Sequence, residues 1–373
     1  MRTFGKKRTP TYILDDVSGD FVRFSRWYHP LCPLGIAPKE LPSILDNCSL
    51  AEAVLFPCSD EWVDEVARLP VRISRHFSSS VPDKGTIALF IDKWLFAQTL
   101  ERLGLPHPHT LLVRNREEIN QIPNGSVARY FVKPRNSNAF FTYFGTKGIR
   151  VSNQKYAIKW IDRAVNAGIG VLLQEYIPGS PLSHYFIDGF IDRQGEIRAL
   201  FARRRIRMFP NEFGNSTYLI SIPFSEVSAA FELLLKLFRS VQYRGIFSAE
   251  FKYDARDGAF KILEVNVRPW WYIEFAQSCN VDICGLAYKD SLGEPLEGIR
   301  DYKIGSRCVF PYFDLQGFMN NPNRNPQRFV SMIASWVYSR KVFFSRSDPI
   351  PALAQLRNAF TSRISPFIDG REE

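Results

Sequence analysis

The stretch Gly245–Trp271, GIFSAEFKYDARDGAFKILEVNVRPWW, constrains the chain more than any other. It reads as a β-hairpin. Ile246–Tyr253 and Ala259–Val267 alternate with the two-residue period of strands, and Arg256-Asp257-Gly258 supplies a turn with Gly where positive φ is easiest. Glu264, Asn266 and Arg268 share one face of the second strand, with Leu263, Val265 and Val267 on the other. A three-residue turn sets Glu250 roughly opposite Glu264. Two carboxylates about 5 Å apart repel by roughly 3 kcal/mol at an effective dielectric of 20, so a cation is expected between them. Mg²⁺ suits the place, since it takes one or two carboxylates together with phosphate oxygens and water. The competing reading is a solvated face on which Lys252 and Arg268 answer the two glutamates.

The rest of the chain supplies a large core: hydrophobic residues make up 45% and aromatic residues 14% of 373. That length suits two or three small domains, or one α/β enzyme built of subdomains. No run approaches the 18 apolar residues of a transmembrane helix, and the basic N-terminus lacks the apolar core of a secretory signal. The six cysteines (32, 48, 58, 279, 284 and 308) form no C-x-x-C pair and no zinc spacing. Free thiols in a reducing cytoplasm follow. The net charge of +10 fits nucleic acid or polyanionic small ligands, but the cations are dispersed and no nucleic-acid-binding motif accompanies them.

In chain order, residues 1–90 are Pro-rich, with Ala53–Pro57 expected as a buried strand and Ser59-Asp60 capping a helix over Glu61–Leu69. Asp92-Lys93 opens an amphipathic helix to Arg102. Tyr130–Pro134 is a strand on which Lys133 ends an apolar run, an uncommon place for an unpaired charge. Residues 136–150 carry four aromatics and Lys147, and a loop is expected there. A helix over Ala157–Ala167 leads to Val171–Gly179, a buried strand entering a turn. Arg203, Arg205 and Arg207 share a face if their segment is a strand, either in a cleft where they meet phosphate or carboxylate or on a solvated surface. The helix Glu226–Arg239 has a single apolar stripe belonging to the core.

A Glu on one strand followed by Glu-x-Asn-x-Arg on the next, here Glu250, Glu264, Asn266 and Arg268, resembles the metal-binding hairpin of the ATP-grasp superfamily. Trp270-Trp271 after it is similar to members resembling the large subunit of carbamoyl-phosphate synthetase, although Val267 stands where those usually carry Pro. The resemblance covers roughly residues 50–320. It implies a fold of mixed α+β and α/β character, two α+β lobes gripping ATP behind a shortened Rossmann-like unit. The corresponding boundaries are 1–90 for the α/β unit, 91–168 for the small lobe, 169–300 for the large lobe and 301–373 for a C-terminal extension.

By the same resemblance, Lys93 and Lys133 reach the nucleotide phosphates, residues 136–150 form a phosphate-covering loop with Lys147 supplementing it, and Gln174-Glu175-Tyr176-Ile177 meets the adenine. Ser183 or His184 stands in for the ribose ligand, with a plain surface histidine as the alternative. Glu250, Glu264 and Asn266 hold Mg²⁺ (two ions by the family pattern, Mn²⁺ as a substitute), and Arg268, with Lys133, assists transfer of the phosphoryl group. The implied activity is ATP-dependent carboxylate–amine ligation through an acyl phosphate. The partners are then small-molecule carboxylates and amines, with no nucleic acid or membrane and with room for a homodimer. A kinase on the same fold, a non-catalytic nucleotide-binding module and a basic nucleic-acid binder are the alternatives.

Overall fold

The computed structural model describes residues 1–14, 21–32, 35–114, 118–119, 122 and 126–361. Residues 362–373 of the expected C-terminal extension lie outside the described residues. Three sheets organise the chain. Among its described residues the N-terminal unit contains one parallel strand pair, β1 (Ala53–Val54) with β2 (Phe77–Ser78). The expected strand stops at Val54, two residues into the apolar run. The helix Asp60–Ala67 follows, with Ser59 Oγ accepting from the Trp62 N–H.

The small lobe is a four-stranded antiparallel sheet of β3 (Thr110–Val113), β4 (Tyr130–Pro134), β5 (Ile149–Arg150) and β6 (Val171–Glu175), in the order β3-β6-β4-β5. The helix Gln154–Asn166 buries Ala157, Trp160, Ile161 and Ala164 against it. Residues 136–150 depart from expectation. Ser137–Phe144 is an α-helix ended by Gly145 at φ 68°, where a residue without Cβ closes the last turn. Phe140 and Phe144, four residues apart and so on one helix face, enter the same core with ring centroids 4.5 Å apart. Aromatic spacing, not glycine content, decides this segment.

The large lobe is a seven-stranded sheet: β7 (His184–Ile191), β8 (Ile197–Phe209), β9 (Asn215–Ser221), β10 (Gly245–Asp254), β11 (Ala259–Asn266), β12 (Arg307–Val309) and β13 (Arg340–Lys341). Their order is β11-β10-β7-β8-β9-β12-β13. One face packs on the helix Ser228–Ser240 through Ala230, Leu234, Leu237 and Phe238. The opposite face is apolar at one end, where Phe190, Phe201 and Ile246 meet the helices Ile273–Ser278 and Ile283–Ser291. Its other end is charged.

The register of the hairpin explains how the charges come to share that end. The turn contains four residues, Asp254 pairing with Ala259, which slips the expected register by one. A β-bulge then places Phe251 opposite Ile262 but Glu250 opposite Glu264, leaving Leu263 over. The bulge restores the register and re-aims Glu264 and Asn266 to the face that carries Glu250. As a result Ile262, and not Leu263, joins Val265 and Val267 in the core.

Candidate active site

The charged end of the large sheet, the exposed end of the small sheet and the helix Lys93–Arg102 enclose a cleft with a cavity volume of about 660 Å³. Lys93, Lys133, Lys147, Gln174, Glu175, Tyr176, Ile177, His184, Glu250, Glu264, Asn266 and Arg268 all line it. These residues come from positions up to 175 apart in the chain, and the topology brings every one to the same cavity.

Each cation is held in place by a different device. Lys93 begins its helix next to the N-cap Asp92, whose carboxylate takes the N–H groups of Trp94 and Leu95 and a bidentate contact from Arg135 at 2.6–3.0 Å. Lys133 Nζ donates to Gln174 Oε1 at 3.1 Å, while Gln174 Nε2 donates to Thr110 Oγ1 at 3.1 Å. Gln174 therefore acts on Lys133 through its side chain. Burial, with help from the Lys93 charge, pushes the Lys133 ammonium down to about 8, against the pull of Glu264 and Glu250. Lys147 Nζ crosses between the lobes to Asn215 Oδ1 at 2.6 Å. Burial lowers its pKa too, opposed by the same two glutamates.

Glu250 has other partners than Lys252 and Arg268. Its Oε1 lies 3.0 Å from Arg205 Nη2 and 2.8 Å from His184 Nδ1. Burial works to raise the Glu250 carboxyl, but Arg205, His184 and Lys147 together hold it well below the usual carboxylate range. Burial and the Arg205 charge push His184 down to about 4, so its imidazole is neutral at pH 7. Nδ1 faces both the Glu250 carboxylate, which can only accept, and Arg205 Nη1 at 3.1 Å, which can only donate. His184 is buried and tied to Glu250 rather than standing on the surface. Lys252 instead sits with Nζ 4.9 Å from the Tyr176 ring centre, its pKa pushed to about 8 by burial and Arg205.

Of the three alternating arginines, two reach the cleft. Arg205 also donates to Ser216 at 2.8 Å, and Arg203 pairs with Asp188 at 2.6 Å beneath the Phe186 ring. Arg207 is turned away by bulges on either side of it in the β8–β9 ladder and forms a two-pronged pair with Asp314 at 2.6 and 2.8 Å. Arg268 donates to Asp60 Oδ1 at 2.6 Å, joining the hairpin to the first turn of the N-terminal helix. The sequence marks Asp60 only as part of a helix cap and does not single out Asn215 or Ser216.

At the lobe junction, Glu175 N–H goes to the His109 carbonyl and Tyr176 N–H to the Arg129 carbonyl, at 2.7 and 2.8 Å. The Glu175 carboxylate takes Arg256 at 2.7 Å. The Phe131 ring stands edge-on to Tyr176 with centroids 6.4 Å apart, and Ile177, Met208, Ile262 and Leu263 are among the apolar residues that line the cleft.

No family model matches the chain. Over 224 residues it is 23% identical to the D-aspartate ligase of Enterococcus faecium (strain Aus0004), a match that takes in 58% of this chain and 53% of that protein. The chain thus spans about half the length of the curated relative it matches. The N5-carboxyaminoimidazole synthetase of Staphylococcus aureus superposes with a TM-score of 0.61 at 14% identity, covering 82% of this chain and 76% of that one. The biotin carboxylase domain of Hydrogenobacter thermophilus 2-oxoglutarate carboxylase, solved with MgADP, ADP and bicarbonate, gives 0.62 at 14% identity, covering 82% and 69%. The chain has the ATP-grasp fold. The cleft described above is lined by residues of both the small sheet and the large sheet.

Proposed function

We propose that the chain is an ATP-dependent carboxylate–amine ligase. The observation that carries this reading is the convergence, in one cleft of an ATP-grasp fold, of Lys93, Lys133 and Lys147 with Glu250, Glu264 and Asn266. Three lysines supply the positive field that a triphosphate requires. Two carboxylates and an amide oxygen are a donor set that fits Mg²⁺, with places left for phosphate oxygens and water. The amide of Asn266 and the phosphates would complete that donor set beside Glu250 and Glu264. Glu250, Glu264 and Asn266 would hold Mg²⁺ (two ions, or Mn²⁺ in its place), which would supply positive charge against the triphosphate.

The chain's own residues do the rest. The apolar corner beside Tyr176 and Ile177 takes the adenine, and the lysines align the phosphates. A substrate carboxylate oxygen attacks the γ-phosphorus, the bond to the β–γ bridging oxygen breaks, and ADP departs with that electron pair. The acyl phosphate then meets an amine, which displaces phosphate and forms the amide. Arg268, steadied by Asp60, stabilises charge on the phosphoryl group in both steps. His184 acts as a positioning residue, fixing Glu250 from behind. The relative's name supports an amino acid as one of the two substrates, and the Asp60–Arg268 pair offers one anionic and one cationic group to a zwitterion.

Glu264→Gln tests the assignment, because it keeps the side chain's size and removes one metal-directed charge. ATP turnover should vanish while the thermal transition stays near wild type. Wild-type turnover in the folded variant would contradict it.

A further inference from the structure

Independently of the cleft, the C-terminal extension presents an apolar line that no described residue covers. The helix Pro326–Val337 has two apolar sides. On the inner side Met332 is buried and Trp336 donates its indole N–H to Asp314 at 2.7 Å. On the outer side Val330, Ala334, Val337 and Tyr338 recur at i, i+4, i+7 and i+8, the spacing of one line along a helix and its C-cap. Val330, Val337 and Tyr338 are 65%, 63% and 91% exposed. Scattered exposed apolar residues are ordinary, but a line of them marks a contact surface.

The charge around this line is one-sided. From residue 315 to residue 347 there is no Asp or Glu, while Arg324, Arg328, Arg340, Lys341 and Arg346 fall in the same interval. The acids that bound it are withdrawn. Asp314 and Asp348 are each 2% exposed and are taken up by Arg207 and Arg2. Arg340 is paired with Glu274, whereas Arg324, Arg328 and Arg346 are exposed.

We infer that this face docks on an anionic lipid bilayer. A helix lying in the interface inserts its aliphatic and aromatic line between headgroups, while flanking cations meet anionic lipid. A second copy of the chain fits less well, because a twofold contact sets a patch against itself and the stretch 315–347 carries five cations and no acid. Among the described residues no helix is long and apolar enough to cross a membrane.

The test is sedimentation of the full chain with vesicles of phosphatidylcholine alone or mixed equally with phosphatidylglycerol. Binding to the mixed vesicles should exceed binding to the neutral ones by about tenfold or more. The double variant Val337→Asp/Tyr338→Asp should lose that binding, and Arg324→Glu/Arg328→Glu should lose it with unchanged thermal stability. ATP turnover serves as a folding control, since none of these side chains lines the cleft. Equal binding to both vesicles, no binding to either, or full binding by the double variants overturns the inference. A concentration-dependent dimer broken by Val337→Asp/Tyr338→Asp, without lipid binding, assigns the face to self-association instead.

Discussion

Removing Arg205 should destabilise the large lobe through Glu250, and the size of the effect follows from the geometry. Arg205 Nη2 lies 3.0 Å from Glu250 Oε1, both side chains being largely buried. At an effective dielectric of 20 that separation is worth about 5.5 kcal/mol of attraction, and breaking one side of such a pair costs about 3–5 kcal/mol. His184, the other partner of Oε1, is neutral at pH 7 and cannot replace the charge. Arg205→Met also loses the bond to Ser216, so a single variant overstates the pair. The clean experiment is a double-mutant cycle of Arg205→Met and Glu250→Gln, followed by urea denaturation at pH 7 without Mg²⁺ or nucleotide. Each single variant should be destabilised, and the double variant should recover about 2–3 kcal/mol relative to their sum. Additivity to within about 0.5 kcal/mol would refute the coupling.

Other consequences concern pH and packing. Because Lys133 titrates near 8, kcat/KM for ATP should fall as pH rises through 8, and Lys133→Arg should remove that limb; an unchanged limb would assign it to another group. For His184 the folded value of about 4 lies below the ordinary 6.5, so the unfolded chain binds more protons between them. Stability is complete above pH 6.5 and declines as pH falls toward 4, by about 2 kcal/mol at pH 5. Glu250 adds its own loss only below its ordinary value near 4.3, which leaves the window from 6.5 to 5 to His184. His184→Gln should flatten that window, and an equal slope in the variant would count against this account. Phe140→Ala should cost about 3–5 kcal/mol in the small lobe, measurable by denaturation; a change under about 1 kcal/mol would mean the segment 136–150 is not packed as a helix.

The hairpin was legible because its period of two sorts charge and core to opposite faces. The opposition of Glu250 and Glu264 emerged although the turn is one residue longer than read, since the bulge at Leu263 offsets it. Bulges leave no mark in a single sequence, and another one diverts Arg207 to Asp314. The helix Ser137–Phe144 was hidden because residues 136–150 read as a loop, whereas the chain packs Phe140 on Phe144. From the sequence Asp60 reads only as part of a helix cap, and Arg205 only as one of three alternating arginines with a cleft or a solvated surface open to them. Their partners stand 208 and 45 residues away, and only the folded topology brings them together.

The central claim, acyl-phosphate chemistry in the cleft, is tested most directly by incubating the protein with Mg-ATP, pooled carboxylates and hydroxylamine, then measuring ADP and hydroxamate together. The account predicts a hydroxamate formed with one pool in step with ADP release, and neither product from Glu264→Gln. ADP release that yields a hydroxylamine-stable phosphorylated product, with no hydroxamate, would contradict it.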